Sequence, residues 1–219
     1  METEVMNELV LDSFRKLTNL GEEGKQPAKS KLIYPQSRDG KGVRHSEQEF
    51  KQLFIESFIV SQQTNDLCYS LETPTDKKYS FKGEPEVVAE DEKGGCSGNI
   101  DMCIYQAKER LHLIEFKANN IQEHSIQKDL LKLCMECECS KVNKTNYLIH
   151  IIYKADKNTL INLNEKYHDI RTPLLAEAKK EIVIYILFVN GVKAVEIAPC
   201  YCKLTLDSED VKCENLVKL

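Results

Sequence analysis

Two short apolar segments joined by five polar residues constrain this chain more than any other feature. Gly98-Asn99-Ile100-Asp101-Met102-Cys103-Ile104-Tyr105 is followed, after Gln106-Ala107-Lys108-Glu109-Arg110, by Leu111-His112-Leu113-Ile114-Glu115-Phe116-Lys117. Both segments read as strands. Side chains alternate faces along a strand, so Glu115 and Lys117 project to one side and Phe116 to the other. If the polar stretch makes a hairpin, Asp101 approaches Glu115 across the pair, with the register left open by the sequence. An acid inside a mostly apolar strand is costly unless it has a partner or a task. Alternating charge at Glu115 and Lys117 is also the pattern of an ordinary half-solvated strand.

Two carboxylates and a lysine in one place suit phosphodiester hydrolysis. Neighbouring carboxylates repel unless a hard divalent cation such as Mg2+, or Mn2+, sits between them. Such a metal polarises a phosphate oxygen and acidifies a water, and an ammonium group can neutralise the charge that develops. Asp101, a gap of thirteen residues and then Glu115-Phe116-Lys117 resembles the D…(D/E)-x-K signature of the restriction-endonuclease-like, or PD-(D/E)XK, nucleases. No proline precedes Asp101, and Gly98 can serve the tight entry into the strand.

That resemblance covers roughly residues 45–153. It implies an α/β fold with an α-β-β-β-α-β core and a mixed sheet. The helix would be Ser46–Phe58, the first strand would lie near Asp66–Leu71 or Tyr79–Phe81, the later helix would be Ser125–Cys139 and the last strand Asn146–Tyr153. It further implies a catalytic set of Asp101, Glu115 and Lys117 plus an acid from the first helix, with Mg2+ or Mn2+ on Asp101 and Glu115. DNA ranks ahead of RNA as the substrate, and a homodimer is an arrangement the family often uses. The alternative is a catalytically silent member that binds nucleic acid or a protein partner.

The helix acid has three candidates, Glu47, Glu49 and Glu56, of which Glu49 is preferred. Glu49 also stands three residues after Ser46, the spacing of a capping box. On the later helix, Lys128 and Lys132 are displayed together at i, i+4 and are expected to meet phosphates; the bland reading pairs them with Asp129 and Glu136 on a solvated face.

A chain of 219 residues with a formal net charge of −5 fits one elaborated domain. It does not fit a protein that coats nucleic acid through a global basic excess. Charge is unevenly placed: Gly24–Lys51 has seven Lys or Arg against three acids, whereas Glu84–Glu92 has five acids and no base. The basic stretch is a second expected phosphate contact. No apolar run is long enough to span a membrane and Met1-Glu2-Thr3-Glu4 lacks a signal pattern, so a soluble, cytoplasmic protein is expected, with its nine cysteines reduced.

The expected organisation is an N-terminal helix (Asn7–Leu20) and basic loop over residues 1–44, a core over 45–153, and an extension of the sheet over 154–219. The extension reads as helices at Asp156–Tyr167 and Pro173–Lys180, then strand Glu181–Val189, a hairpin at Asn190-Gly191 into Val192–Ile197, and an edge strand at Tyr201–Leu206. Cys134-x-x-Cys137-x-Cys139 with Cys200-x-Cys202 invites a metal reading. Against it, Cys134 and Cys137 fall on an apolar helix face, where cysteine acts as a small hydrophobe, and the spacing matches no common zinc knuckle. The absence of a G-x-x-x-x-G-K-[ST] motif excludes an ATP-driven motor.

Overall fold

In the computed structural model, the described residues are 3–20, 30, 32–33, 46–88, 94–136, 145–175, 181–193, 198–206, 211–212 and 215–219. They form α1 (Thr3–Leu20), α2 (Glu47–Val60), β1 (Leu67–Ser80), β2 (Glu86–Val88), β3 (Cys96–Gln106), β4 (Glu109–Ala118), α3 (Glu123–Met135), β5 (Asn146–Ile152), α4 (Lys157–Leu175), β6 (Ile182–Phe188), β7 (Cys200–Thr205) and β8 (Val217–Lys218). The strands make one mixed α/β sheet in the order β2-β1-β3-β4-β5-β6-β7-β8. β1, β3 and β4 run antiparallel as a meander, whereas β4, β5 and β6 are parallel. Parallel neighbours need crossovers, which α3 and α4 supply.

Burial divides the core into two layers. On one face Met102, Ile104, Ile114, Phe116, Ile149 and Tyr185 pack against Phe14 of α1 and Phe50 and Phe54 of α2. On the other, Cys103, Leu113, Leu148 and Ile184 pack against Leu130 of α3 and Leu163 and Tyr167 of α4. β5 and β6 are buried along their whole length, which is why they read as near-continuous apolar runs rather than alternating ones.

α2 starts at Ser46, and the Glu49 carboxylate accepts both the Ser46 backbone N–H and its hydroxyl at 2.8 Å. β1 is a single strand that overlaps both alternative stretches expected for it, Asp66–Leu71 and Tyr79–Phe81. Its register slips between Pro74 and Lys78. The buried Glu136 carboxylate holds this bulge by accepting the N–H groups of Asp76 (2.8 Å) and Lys77 (3.0 Å) and the Tyr79 hydroxyl (2.8 Å).

The extension differs from expectation in two places. α4 runs unbroken through Pro173, because Leu160, Leu163, Tyr167 and Ile170 give it one continuous buried stripe; residues 176–180 lie outside the described residues. Asn190-Gly191 does turn the chain, with Gly191 at φ 69°, but no hairpin follows. Both edges of β6 are taken by β5 and β7, so Val192 bridges in parallel to Ala155 instead. Residues 194–197, most of the basic loop over 21–45, and Cys137 and Cys139 also lie outside the described residues. Among the described residues no helix is long and apolar enough to cross a membrane.

Candidate active site in a fork of the sheet

The β3–β4 ladder stops at the pair Met102↔Ile114. Beyond it β3 stays with β1 through Ile100↔Thr73, while β4 stays with β5 through Phe116↔Ile149 and Lys117↔His150. The two strands part, and Asp101 and Glu115 are the first residues inside the fork. There the Asp101 carboxylate replaces the missing ladder acceptor, taking the Phe116 N–H at 2.8 Å. Glu72 comes opposite Asp101 on β1, because Leu71 pairs with Met102 and Thr73 with Ile100.

Because the sheet is open here, helices on both faces reach in. From α2, Lys51 donates to Glu72 at 2.8 Å and to Asp101 at 3.3 Å. One helical turn earlier, Glu47 feels the charges of Lys117, Asp101, Lys51 and Asp129. From α3, Lys132 forms ion pairs with Glu115 and, at 3.0 Å, with Asp129, and donates to the Asn99 carbonyl at 2.7 Å. Lys117 pairs with Asp129. Gly98 makes this possible by leaving space: a Cβ there would lie 3.0 Å from the Lys132 side chain. Its role is therefore room for the lysine stem rather than a conformational entry into the strand.

Electrostatics set the carboxyls apart. Burial, with repulsion from Asp129 and Asp101, pushes Glu115 well above the usual glutamate range against the pull of Lys132. Burial pushes Asp101 the same way, but the Phe116 N–H, a hydrogen bond with Glu115, Lys51 and Lys117 outweigh it and hold Asp101 below the usual range. The two carboxyls are thus driven apart, Glu115 toward its protonated form and Asp101 toward its anion. Glu47 is raised by burial. Burial opposes the charge on Lys117, yet Asp129, Glu115 and Asp101 raise it to about 12. Lys117 is therefore a fixed cation at neutral pH, suited to stabilising negative charge and not to accepting a proton.

The expected residues fall out as follows. Asp101, Glu115 and Lys117 come together. Glu49 does not join them: its carboxylate is held by Ser46 at the start of α2, and Glu47, which lies i, i+4 from Lys51, is the helix acid at the fork. Lys132 is only 3% exposed and ion-paired to Glu115 and Asp129, so it is not a phosphate contact on an open helix face. Lys128 lies over the Phe81 ring, 4.3 Å from its centre. Three members escaped sequence reasoning. Lys51 reads with the basic stretch and Asp129 with a solvated helix face, and Glu72 falls outside both stretches expected for the first strand.

The donor set fits a hard divalent cation: two adjoining carboxylates, one of them shifted toward its protonated form by burial and repulsion, with no thiol or imidazole among them. Among the described residues no group of three or more His, Cys, Asp or Glu side chains is placed to hold a metal ion, so the protein would offer at most these two carboxylates. Mg2+ is commonly held by one or two carboxylates with waters completing its shell. The cysteines do not offer a second centre among the described residues. Cys134 is buried in α3, and burial lifts the thiols of Cys200 and Cys202 to about 11 and about 12.

Behind Lys117, His150 is fully buried. Its Nε2 lies 2.7 Å from the Asn119 carbonyl and its Nδ1 3.0 Å from the Tyr167 hydroxyl. The Asn119 carbonyl can only accept, so Nε2 donates to it, and in the neutral ring Nδ1 accepts the Tyr167 hydroxyl. Burial lowers its pKa from 6.5 to about 4. Below pH 6.5 the unfolded chain binds a proton that the fold refuses, so stability falls as pH drops from 6.5 to 4, by on the order of 3 kcal/mol. Urea unfolding of wild type and His150→Gln across that range should show this slope in wild type and its loss in the variant. Glu115 and Glu47 titrate with the opposite sign, so the difference between the two proteins isolates the histidine.

No family model, curated protein or solved structure matches the chain.

Proposed function

We propose that this chain is a metal-dependent nuclease of the restriction-endonuclease-like, PD-(D/E)XK class, hydrolysing phosphodiester bonds of DNA. The observation that carries the reading is the contact of Asp101 with Glu115 inside the β3–β4 fork, with Lys117 on the face of Glu115. With the three-residue edge strand β2 set aside, the element order α2-β1-β3-β4-α3-β5 supports it, since it follows the α-β-β-β-α-β core of that class and gives Glu47 the place of the helix acid.

Asp101 and Glu115 would hold Mg2+ or Mn2+, which supplies polarisation of a phosphate oxygen and an acidified water. The chain's own groups do the rest. Asp101, ionised and anchored by the Phe116 N–H, keeps a fixed orientation. Lys117, held by Asp129, places a permanent positive charge where the pentavalent phosphate gains negative charge, and being preorganised it needs no rearrangement to do so. Glu47, with its raised pKa, can move a proton at the mouth of the fork.

A second reading is favoured by one feature. Lys51, Lys132 and Lys117 already partner Asp101, Glu115 and Asp129, and a self-neutralised network of this kind also suits a catalytically silent protein that binds nucleic acid or another protein. Incubating the protein with single-stranded, duplex and branched DNA, with Mg2+ or Mn2+ and with EDTA, separates the two. Cleavage that needs the metal is expected. Metal binding alone gives an independent check: because a cation on Glu115 would compete with a proton there, Mg2+ affinity should rise with pH, and titration in two buffers of different ionisation heat should reveal proton release. No cleavage together with no proton-linked binding would leave the silent reading.

A further inference from the structure

Past the site, β4 and β5 end side by side, and a cavity of about 380 Å³ opens between their carboxyl ends and the first turns of α4. Its floor is apolar, from Ile152 and Leu163; its rim is polar, from Asn119, Lys154, Thr159 and Asn162. The crevice outside the carboxyl ends of parallel strands is where α/β sheets commonly take ligands, and the size lies within the range of small-molecule pockets. Among the described residues the side chains of Asn119, Asn162 and Lys154 have no protein partner. Asn119 is held at φ 63°, with its N–H on the Ile151 carbonyl at 2.7 Å and its own carbonyl on His150. The rim is thus anchored while its amide stays available.

We infer that this cavity takes the base of an unpaired nucleotide next to the phosphate cleaved in the fork. An apolar floor suits the face of a base. Carboxamides, which both donate and accept, suit its hydrogen-bonding edge, and Lys154 suits the attached phosphate. The placement agrees. Asn119 follows Lys117 by two residues, at most about 7 Å along the strand, so the cavity opens directly beside the fork. A base inside a duplex cannot enter such a cavity without leaving its stack. The substrate is therefore single-stranded DNA or DNA with an extruded base. This inference rests on the nuclease reading.

The test uses metal-free protein in EDTA, titrated with each of the four deoxynucleoside 5′-monophosphates and with deoxyribose 5-phosphate, and followed by NMR of the backbone and side-chain amides. At least one nucleotide should bind about tenfold more tightly than the sugar phosphate. Asn162→Leu, at an exposed position of α4, should lower that affinity about tenfold, whereas Glu109→Gln, at the exposed start of β4, should leave it unchanged. Lys154→Ala should weaken nucleotide and sugar phosphate alike. Absence of binding by all four nucleotides in the millimolar range, equal binding of the sugar phosphate, or an unchanged affinity in Asn162→Leu would overturn the inference. Because no metal and no cleavage enter this experiment, it can fail while DNA is still cut. Nucleotide binding in a protein that cuts no DNA would leave the cavity a nucleotide site and sink only the nuclease reading.

Discussion

Glu115→Gln is expected to lower Mg2+-dependent DNA cleavage by about a thousandfold, measured as the single-turnover rate at saturating protein. Removing one preorganised charged group from such a site commonly loses 10²–10³ in rate, and here the same change also removes a carboxylate expected to hold the cation. The fold should survive. Glutamine keeps the shape of the side chain, and Lys132 retains Asp129 at 3.0 Å and the Asn99 carbonyl at 2.7 Å. Asp101→Ala is a less clean probe, because it strips the Phe116 N–H of its acceptor inside the fork and leaves a partly buried donor unsatisfied, a loss of about 1–3 kcal/mol. A Glu115→Gln protein that cuts at the wild-type rate would show that the fork is not where the chemistry occurs.

Lys132→Met should destabilise the protein more than any change at an exposed lysine. Its ammonium lies among Glu115, Asp129 and the Asn99 carbonyl, and these two carboxylates are only 2% and 4% exposed. Breaking a buried ion pair from one side leaves uncompensated charge in a poorly solvated place, which costs about 3–5 kcal/mol. For a chain of this length that corresponds to a melting point lower by roughly 10 °C. Adding Glu115→Gln to Lys132→Met removes one of the two buried carboxyls left without the ammonium, so the double variant should recover part of the loss. Urea unfolding at neutral pH measures both. A Lys132→Met protein within about 0.5 kcal/mol of wild type, the range of ordinary surface substitutions, would mean that the lysine is solvated and free to meet a phosphate.

Both predictions turn on how much of the fork the chain announces. Local patterning made the strands legible. The apolar runs at β5 and β6, the capping box at Ser46 and Glu49, and the alternation of Glu115 and Lys117 follow from propensity and periodicity that act within a few residues. The same rules could have settled Glu49 at once. A glutamate that closes a capping box has its carboxylate turned back onto the helix start, and Glu47, four residues before Lys51, was the better candidate on that ground. Periodicity also placed Lys132 on α3, but it could not say that the helix lies over a gap in the sheet. The hairpin expected after Asn190-Gly191 failed for a related reason, since a turn signal carries no information about whether the neighbouring strand edge is already occupied.

By itself the sequence determined most of the helices and strands of the core, the two acids and the lysine at β3 and β4, and the side of β4 on which Glu115 and Lys117 stand. Only the tertiary structure decided that β3 and β4 separate after Met102 and Ile114. From that separation follow Glu47 and Lys51 arriving from one face, Asp129 and Lys132 arriving from the other, and the opposite shifts of Asp101 and Glu115. The physical reason is range. Strand and helix signals arise from neighbours in the chain, whereas burial and charge at the fork come from residues as far apart as Lys51 and Lys132, whose meeting depends on how the sheet is paired.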